Sequence, residues 1–256
     1  MVFGLGMRII SGRHKGKKLV GPPDAKTTRP IPDRVKLSVF NLLRGHFEGA
    51  HVVDLFAGTG SIGLEAASRG AARVLMVEKD RGIARVLDRN IEAVGSPPSC
   101  EVYLGDALGS GVLSRCPRPV NLLFADPPYA MVRDPEGWQR VRGQFMRLID
   151  LLAYDGFAVL RTPHPLLHRA DATPRPGGRT KKTSGIDRPA EPARIVAVDL
   201  DASDGDEIDD FEREIKSQRP GPKYVDVDLI FENAEGPETH VYGSTAVHLY
   251  MRKKDG

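Results

Sequence analysis

The chain has 256 residues, of which 40% are hydrophobic and 28% charged, a composition typical of a globular protein rather than a disordered one. The sequence contains no run of apolar residues long enough for a membrane-spanning helix, and charge follows its short apolar start too soon for a signal peptide. Two cysteines, Cys100 and Cys116, cannot form a disulfide framework or a four-ligand metal site. We therefore expect a cytoplasmic protein.

Charge is unevenly distributed along the chain. The first 50 residues hold ten lysines and arginines against three acids, whereas residues 195–256 hold seven basic and fifteen acidic side chains. A basic amino-terminal fifth predicts a polyanionic partner, most simply nucleic acid. A solvated basic arm explains the charge equally well, so charge alone leaves both interpretations open.

The predicted elements begin with an arm of short strands and turns over residues 9–32, followed by a helix from Pro32 and Asp33 to Leu43. Short apolar runs and helical stretches then alternate. The predicted strands are 51–56, 73–78, 100–104, 121–125 and 156–160, and the predicted helices are 61–68, 80–94, 107–114 and 136–152. This alternation predicts a doubly wound α/β fold with a parallel sheet covered on both faces.

The alternation stops near Pro163. Residues 164–222 are rich in proline, glycine and charge, and the stretch is too long for a connection inside a compact domain. We predict a partly disordered insertion there, between the two parts of one domain at 46–163 and 223–256, with residues 1–45 as a basic arm and helix. Two further strands are predicted at 224–231 and 246–252. No histidine or acidic cluster has the spacing of a metal site, so none is assigned.

A glycine loop, residues 54–63 (DLFAGTGSIG), joins the first strand to a helix. It matches the dinucleotide fingerprint, with Glu78 twenty residues after Gly58, so NAD is one possible ligand. The carboxylate of Asp54 instead favours a cationic ligand, such as the amino group and sulfonium of S-adenosylmethionine. A structural glycine turn is the third interpretation. Glu78 can accept the hydroxyls of a ribose, and Asp106 can accept from an adenine amino group or cap the next helix.

A second motif consists of Asp126, Pro127, Pro128 and Tyr129, directly after a buried strand. It resembles the motif of amino-methyltransferases that use S-adenosylmethionine. A carboxylate and the carbonyl of Pro127 can accept the two N–H bonds of an exocyclic amine, and the adjacent prolines fix that carbonyl. Tyr129 can stack on a base turned out of its helix. The structural alternative is a Pro-Pro turn with a packed tyrosine.

Taken together, the motifs resemble the bacterial 16S rRNA guanine-N2 methyltransferases, over residues 7 to about 162 and about 223 to 252. The resemblance is carried by 8–13 (RIISGR), 29–41 with Asp33, Arg34 and Val35, the glycine loop, the motif 126–129, and 242–246 (YGSTA). The amino-terminal segments are the more family-specific ones. Residues 164–222 have no counterpart in that family.

This resemblance implies the seven-stranded, mostly parallel sheet of Rossmann-like methyltransferases, with translation starting at Met7. It implies S-adenosylmethionine binding by Asp54, Phe56, Gly58, Gly60, Glu78, Asp106 and Ala107, and amine binding by Asp126, Pro127, Pro128 and Tyr129. It implies RNA contacts by Arg8, Arg13, Lys15, Lys17, Lys18, Arg29 and Arg34.

The expected partner is small-subunit rRNA or a pre-ribosomal 30S particle, and we expect a monomer without metal or membrane contact. Three alternatives stay open: an adenine-N6 methyltransferase acting on DNA or RNA, an NAD-dependent oxidoreductase, and a non-catalytic RNA-binding assembly factor.

Overall fold

A computed structural model describes residues 7–22, 31–95, 97–170, 194–198 and 224–254. The helices of this part are α1 Asp33–Leu42, α2 Ser61–Ser68, α3 Arg81–Val94, α4 Ser110–Arg115, α5 Tyr129–Arg133 and α6 Pro135–Ile149. The strands are β1 His51–Asp54, β2 Arg73–Glu78, β3 Cys100–Leu104, β4 Val120–Ala125, β5 Leu152–Pro163, β6 Leu167–Arg169, β7 Arg194–Ala197, β8 Tyr224–Asp226, β9 Ala234–Tyr242 and β10 Thr245–Arg252. None of these helices is long and apolar enough to cross a membrane.

The main sheet has the strand order β3-β2-β1-β4-β5-β10-β9-β7. Strands β1 to β5 are parallel, and β10 lies antiparallel between β5 and β9. The predicted doubly wound α/β fold with a mostly parallel sheet is thus confirmed. To the seven expected strands the structure adds β7, which pairs in parallel with β9 at one edge.

Successive residues of the central strands face opposite sides of the sheet, and this alternation builds two cores. In β1, Val52 packs into the core beneath α1, α2 and α3, whereas Val53 packs into the core beneath α4, α5 and α6. In β4, Leu122 and Leu123 divide in the same way. Because both faces are covered, these strands are almost continuously apolar in sequence.

Two parts of the carboxyl-terminal region differ from the sequence-based prediction. Strand β9 was not predicted because it contains Gly236-Pro237, a pair typical of a turn, which the structure accommodates inside the strand beside a register shift in its pairing with β10. The predicted strand 224–231 is wrong beyond its first three residues, since only β8 is extended and residues 227–231 are irregular.

Two strands arise from the predicted insertion. Strand β6 pairs with β8 in a small separate sheet, and β7 joins the main sheet. Residues 171–193 and 199–223 lie outside the described part of the chain, so the prediction of disorder there stays a prediction, as does the proposed division into domains.

Candidate active site

The crevice at the carboxyl ends of β1 and β4 brings the two predicted motifs together. Within the sheet, β2 lies next to β1 on one side, and β4 lies next to β1 on the other. In open α/β sheets, ligands bind where the strand order diverges in this way. Asp54 is the last residue of β1, and Asp126 follows the last residue of β4.

The glycine loop is shaped by close packing at one glycine and by open space at another. Gly60 has φ +91°, and a Cβ there would lie 2.4 Å from Leu87 Cδ1, so a larger residue would be strained and would force Leu87 to move. Gly58 also has positive φ (+54°), but a Cβ on it would meet nothing within 4 Å. The space above Gly58 is therefore available to a ligand that approaches the backbone closely.

Asp54 is a buried carboxylate with one unsatisfied oxygen. Its Oδ2 accepts a hydrogen bond from the N–H of Gly63 at 3.0 Å, whereas Oδ1 is buried and meets no partner in the described chain. The pKa of Asp54 is raised to about 7, chiefly by burial and to a smaller extent by the negative charges of Asp126 and Glu78, against the lowering effect of the Gly63 bond. A cationic ligand group would satisfy Oδ1 and relieve this repulsion, so the donor set fits the amino group and sulfonium of S-adenosylmethionine.

The other two predicted cofactor acids are oriented by backbone N–H groups. Glu78 Oε2 accepts from Gly58 at 3.0 Å and Oε1 from Asp80 at 2.8 Å, which fixes the carboxylate beside the glycine loop while leaving lone pairs for a second donor. Asp106 Oδ1 accepts from Leu108 at 2.9 Å. Asp106 does not cap a helix, because α4 begins only at Ser110 with Gly109 as its cap. Of the two remaining positions assigned to the cofactor, Phe56 is half-buried and Ala107 is buried.

The motif 126–129 is held by an arginine that the sequence analysis did not single out. Arg161, near the end of β5, donates from Nε to Asp126 Oδ1 at 2.7 Å and from Nη1 to the Tyr129 hydroxyl at 3.3 Å. Its signal in the sequence is a charged residue that directly follows the apolar run 157–160 of β5. Burial alone would lower the pKa of Arg161, but Asp126 and Tyr129 outweigh that effect and raise it, so the guanidinium is charged.

Tyr129 is bound at its hydroxyl and flanked at its ring. The hydroxyl lies 2.6 Å from Thr245 Oγ1, and the Arg161 guanidinium carbon lies 5.3 Å from the ring centroid. Burial raises the pKa of the Tyr129 hydroxyl, which is therefore neutral at physiological pH. Pro127 is buried and Pro128 exposed.

An apolar crevice adjoins these groups. Asp126 and Arg161 are its polar lining residues, and its apolar walls come from α1, α2 and the central strands through Val39, Phe40, Ile62, Phe124, Val159 and Val247.

The described arm, residues 7–22, is fastened to the glycine-loop side of the sheet by buried polar side chains. Glu65 of α2, fully buried, accepts from the N–H groups of Ile10 at 2.7 Å and Ser11 at 3.0 Å. Asn90 of α3 exchanges two hydrogen bonds with the backbone of Val20 and donates to the carbonyl of Thr59 in the glycine loop at 2.9 Å. The arm and the loop therefore share one anchor.

Lys36 of α1 is a second anchor of the arm. Its side chain is fully buried, and Nζ donates to the Arg8 carbonyl at 2.9 Å and to Ser61 Oγ, in the glycine loop, at 3.0 Å. Burial lowers the pKa of Lys36, although Glu65 and Asp33 act in the opposite direction. Its side chain is thus a structural link rather than a surface cation.

The basic side chains predicted to contact RNA are exposed along the described arm. Arg8 lies 3.5 Å from Asp33 and Arg13 lies 3.7 Å from Glu48, both as solvent-exposed pairs, which contribute little to stability. Lys15, Lys17 and Lys18 are exposed, and Arg34 is half-buried on α1. Arg29 lies outside the described residues. Within the part of the chain that the structure describes, no group of histidine, cysteine or acidic side chains could hold a metal ion.

Comparison with known proteins gives consistent matches. A profile of the family described as conserved hypothetical protein 95 matches residues 7–160. YlbH of Bacillus subtilis, provisionally named an rRNA methyltransferase, is 34% identical over 60% of this chain and 80% of its own length. The ribosomal RNA small subunit methyltransferase D of Escherichia coli K12 is 37% identical over 48% of this chain, an alignment that spans 60% of the enzyme.

Solved structures share the fold. A hypothetical protein of Thermus thermophilus superposes with a TM-score of 0.57 at 22% identity, covering 96% of this chain and 99% of that one. The Escherichia coli protein yhhF, provisionally described as a methyltransferase, gives a TM-score of 0.58 at 22% identity, covering 98% and 99%.

Proposed function

Because the chain belongs to the family described as conserved hypothetical protein 95, we propose that it is an S-adenosylmethionine-dependent methyltransferase acting on small-subunit ribosomal RNA. We propose further that it methylates the exocyclic N2 of a guanine. The printed name of the Escherichia coli relative supports the rRNA substrate. The resemblance of the amino-terminal segments to guanine-N2 methyltransferases supports the base, because the motif 126–129 suits an adenine amine equally well. One observation carries the reaction class: a buried, unsatisfied Asp54 oxygen lies in the same crevice as the Asp126 motif.

The cofactor would be held by the groups at the ends of β1, β2 and β3. Asp54 would bind its cationic end, Glu78 its ribose and Asp106 its adenine, beside Phe56, Gly58, Gly60 and Ala107. When bound, S-adenosylmethionine supplies a methyl group activated by the adjacent sulfonium. The protein's own contribution is to align that group with the nucleophile, which removes the entropic cost of the encounter from the chemical step.

The amine would be held by Asp126 and Pro127, with Pro128 and Tyr129 shaping its surroundings. An N–H donated to Asp126 and another to the Pro127 carbonyl would draw the nitrogen lone pair out of conjugation with the ring. Asp126 would also be placed to accept the proton that the nitrogen loses on methylation, with water as the alternative acceptor. Because the sulfonium is a reactive donor, no covalent intermediate is required.

RNA would be held by phosphate contacts from Arg8, Arg13, Lys15, Lys17, Lys18 and Arg34, with Arg29 assigned on sequence alone. The hydrogen bonds of Glu65, Asn90 and Lys36 would hold the described part of this basic strip beside the proposed cofactor site. An exposed row of cations on a rigid support suits recognition of a phosphate backbone.

Transfer of radiolabelled methyl from S-adenosylmethionine to unmodified small-subunit rRNA, naked and in particles, tests the proposal. Label in N2-methylguanosine is expected. The Asp126→Ala variant should lose at least about 100-fold in turnover while binding cofactor normally, as when a transition-state contact is removed. Asp155→Ala, at an exposed carboxylate near the start of β5, is the matched control and should retain full activity.

The other outcomes discriminate among the alternatives. Label in N6-methyladenosine would keep the mechanism and replace the substrate base. Cofactor binding without transfer to this RNA would redirect the search to DNA or another RNA. Tight RNA binding without cofactor binding would leave a non-catalytic assembly factor as the better description.

A further inference from the structure

Arg161 is a buried charge whose one carboxylate partner among the described residues is a proposed catalytic group. Its side chain is 11% exposed, and Asp126, the partner, is 15% exposed. A charged side chain inside a sheet is costly unless it is paired and hydrogen-bonded. An apolar residue would serve packing at this position at least as well, so the arginine needs another explanation.

The geometry of Asp126 supplies one. Arg161 Nε donates a hydrogen bond to Asp126 Oδ1 at 2.7 Å, whereas Oδ2 of Asp126 has no hydrogen-bond partner in the part of the chain that the structure describes. A carboxylate bound through one oxygen has a restricted side-chain torsion and presents the other oxygen in a set direction. Oδ2 is thus available to accept an N–H from a substrate amine.

The same guanidinium also reaches the end of the motif. Its Nη1 donates to the Tyr129 hydroxyl, which lies 2.6 Å from Thr245 Oγ1, and Thr245 in turn donates to the Thr162 carbonyl at 3.0 Å. The contacts therefore run from Arg161 of β5 through Tyr129 to Thr245 of β10 and return to β5 at Thr162, the next residue after Arg161. Both ends of the four-residue motif are fixed to the sheet rather than left as a free loop.

We propose that Arg161 is a positioning residue that orients Asp126 toward the substrate amine and fixes Tyr129 beside it. This inference rests on the proposed methyl transfer. It makes no use of contacts between Arg161 and either substrate, since the guanidinium acts through the carboxylate. Such fixed orientation of an acceptor before substrate arrives is a general source of rate in enzymes.

A double-mutant cycle on the full chain tests the inference. Wild type, Arg161→Met, Asp126→Asn and the double variant are compared by single-turnover methyl transfer to unmodified small-subunit rRNA and by equilibrium binding of S-adenosylmethionine. Arg161→Met should transfer methyl about 100-fold more slowly, with cofactor affinity within about twofold of wild type. The double variant should be no slower than Asp126→Asn, because Arg161 has nothing to orient once the carboxylate is gone.

Two further variants separate positioning from folding. Arg161→Lys keeps the charge and most of the volume but loses the planar fork, so it should recover only part of the rate. In the Asp126→Asn background, Arg161→Lys should cause no further loss. Arg73→Met breaks a partly exposed pair with Glu101, 2.8 Å apart and far from the crevice, and should transfer methyl at the wild-type rate.

The inference is wrong if the Arg161 and Asp126 losses multiply in the double variant, or if Arg161→Met keeps its rate within about threefold of wild type. It is also overturned if Arg161→Met lowers cofactor affinity in proportion to rate. Failure of the proposed function is a separate result: the wild type and Arg73→Met would then both transfer no methyl, and the positioning role would fall with it.

Discussion

Replacing Asp54 by asparagine should stabilise the cofactor-free protein, and the gain should grow with pH. The amide oxygen can still accept the Gly63 N–H, but the neutral side chain carries no buried charge. In the wild type, the pKa of Asp54 is raised by burial from 3.8 to about 7 in the folded protein. The folded state therefore binds more protons than the unfolded chain between these values, so wild-type stability falls as pH rises through this window and levels off above it.

The magnitude follows from the size of the window. About three pH units at 1.36 kcal/mol each correspond to roughly 4 kcal/mol of lost stability above pH 7, of which about 3 kcal/mol is lost between pH 5 and pH 8. In a domain of this size, a difference of about 3 kcal/mol changes the melting temperature by roughly 6–12 °C.

Thermal melting without ligand, at pH 5, 6, 7 and 8, measures this effect for wild type and Asp54→Asn. The control is Asp106→Asn, because the Asp106 side chain is 52% exposed and should show no comparable pH trend. Cofactor affinity should favour the wild type, although Asp54→Asn is the more stable protein. Because the cationic end of the cofactor favours the ionised carboxylate, wild-type affinity should increase with pH up to about 7, whereas the variant should bind weakly at every pH. A stability gain that is the same at pH 5 and pH 8 would refute the reasoning.

Three further predictions concern the arm and the loop. Glu65→Gln removes a fully buried carboxylate that also pairs with Arg69 Nε at 3.0 Å, and should cost about 3–5 kcal/mol and expose the arm to limited proteolysis; an uncut arm would contradict its role as an anchor. Gly60→Ala should cost at least about 2 kcal/mol, because of its positive φ and the clash with Leu87, whereas Gly143→Ala, which meets nothing within 4 Å in α6, should gain up to about 1 kcal/mol in denaturant unfolding. Replacing Lys17 and Lys18 together by alanine should reduce the salt dependence of RNA binding by about two counterions. The control is the same replacement of the exposed Lys253 and Lys254, which should leave the salt dependence unchanged.

The parallel arrangement of the central strands and the position of each motif directly after a strand were predicted from the sequence. Apolar runs alternating with helices predict a parallel sheet, and both acids follow such runs, so a shared edge for Asp54 and Asp126 follows from topology. These are local patterns repeated along the chain, which is why they can be detected without coordinates.

The features that could not be predicted from the sequence depend on contacts between segments that are distant along the chain. Arg161 acquires its role only because β5 lies next to β4 and brings it to Asp126, 35 positions away. Glu65 and Asn90 are polar residue types that usually face solvent on a helix, yet both are buried beneath the arm. Polar residues on a helix indicate solvent unless a partner segment is known, and that segment lies 54 to 70 residues away.

Strand β7 has a consequence for solubility. Residues 194–197 pair along Glu238–Val241 of β9, which would otherwise be an outer strand of the sheet with unpaired N–H and C=O groups. Open strand edges of this kind recruit other chains and lead to aggregation. Deleting residues 164–222 would therefore expose the Glu238–Val241 edge, so the shortened protein should aggregate more readily than the full chain.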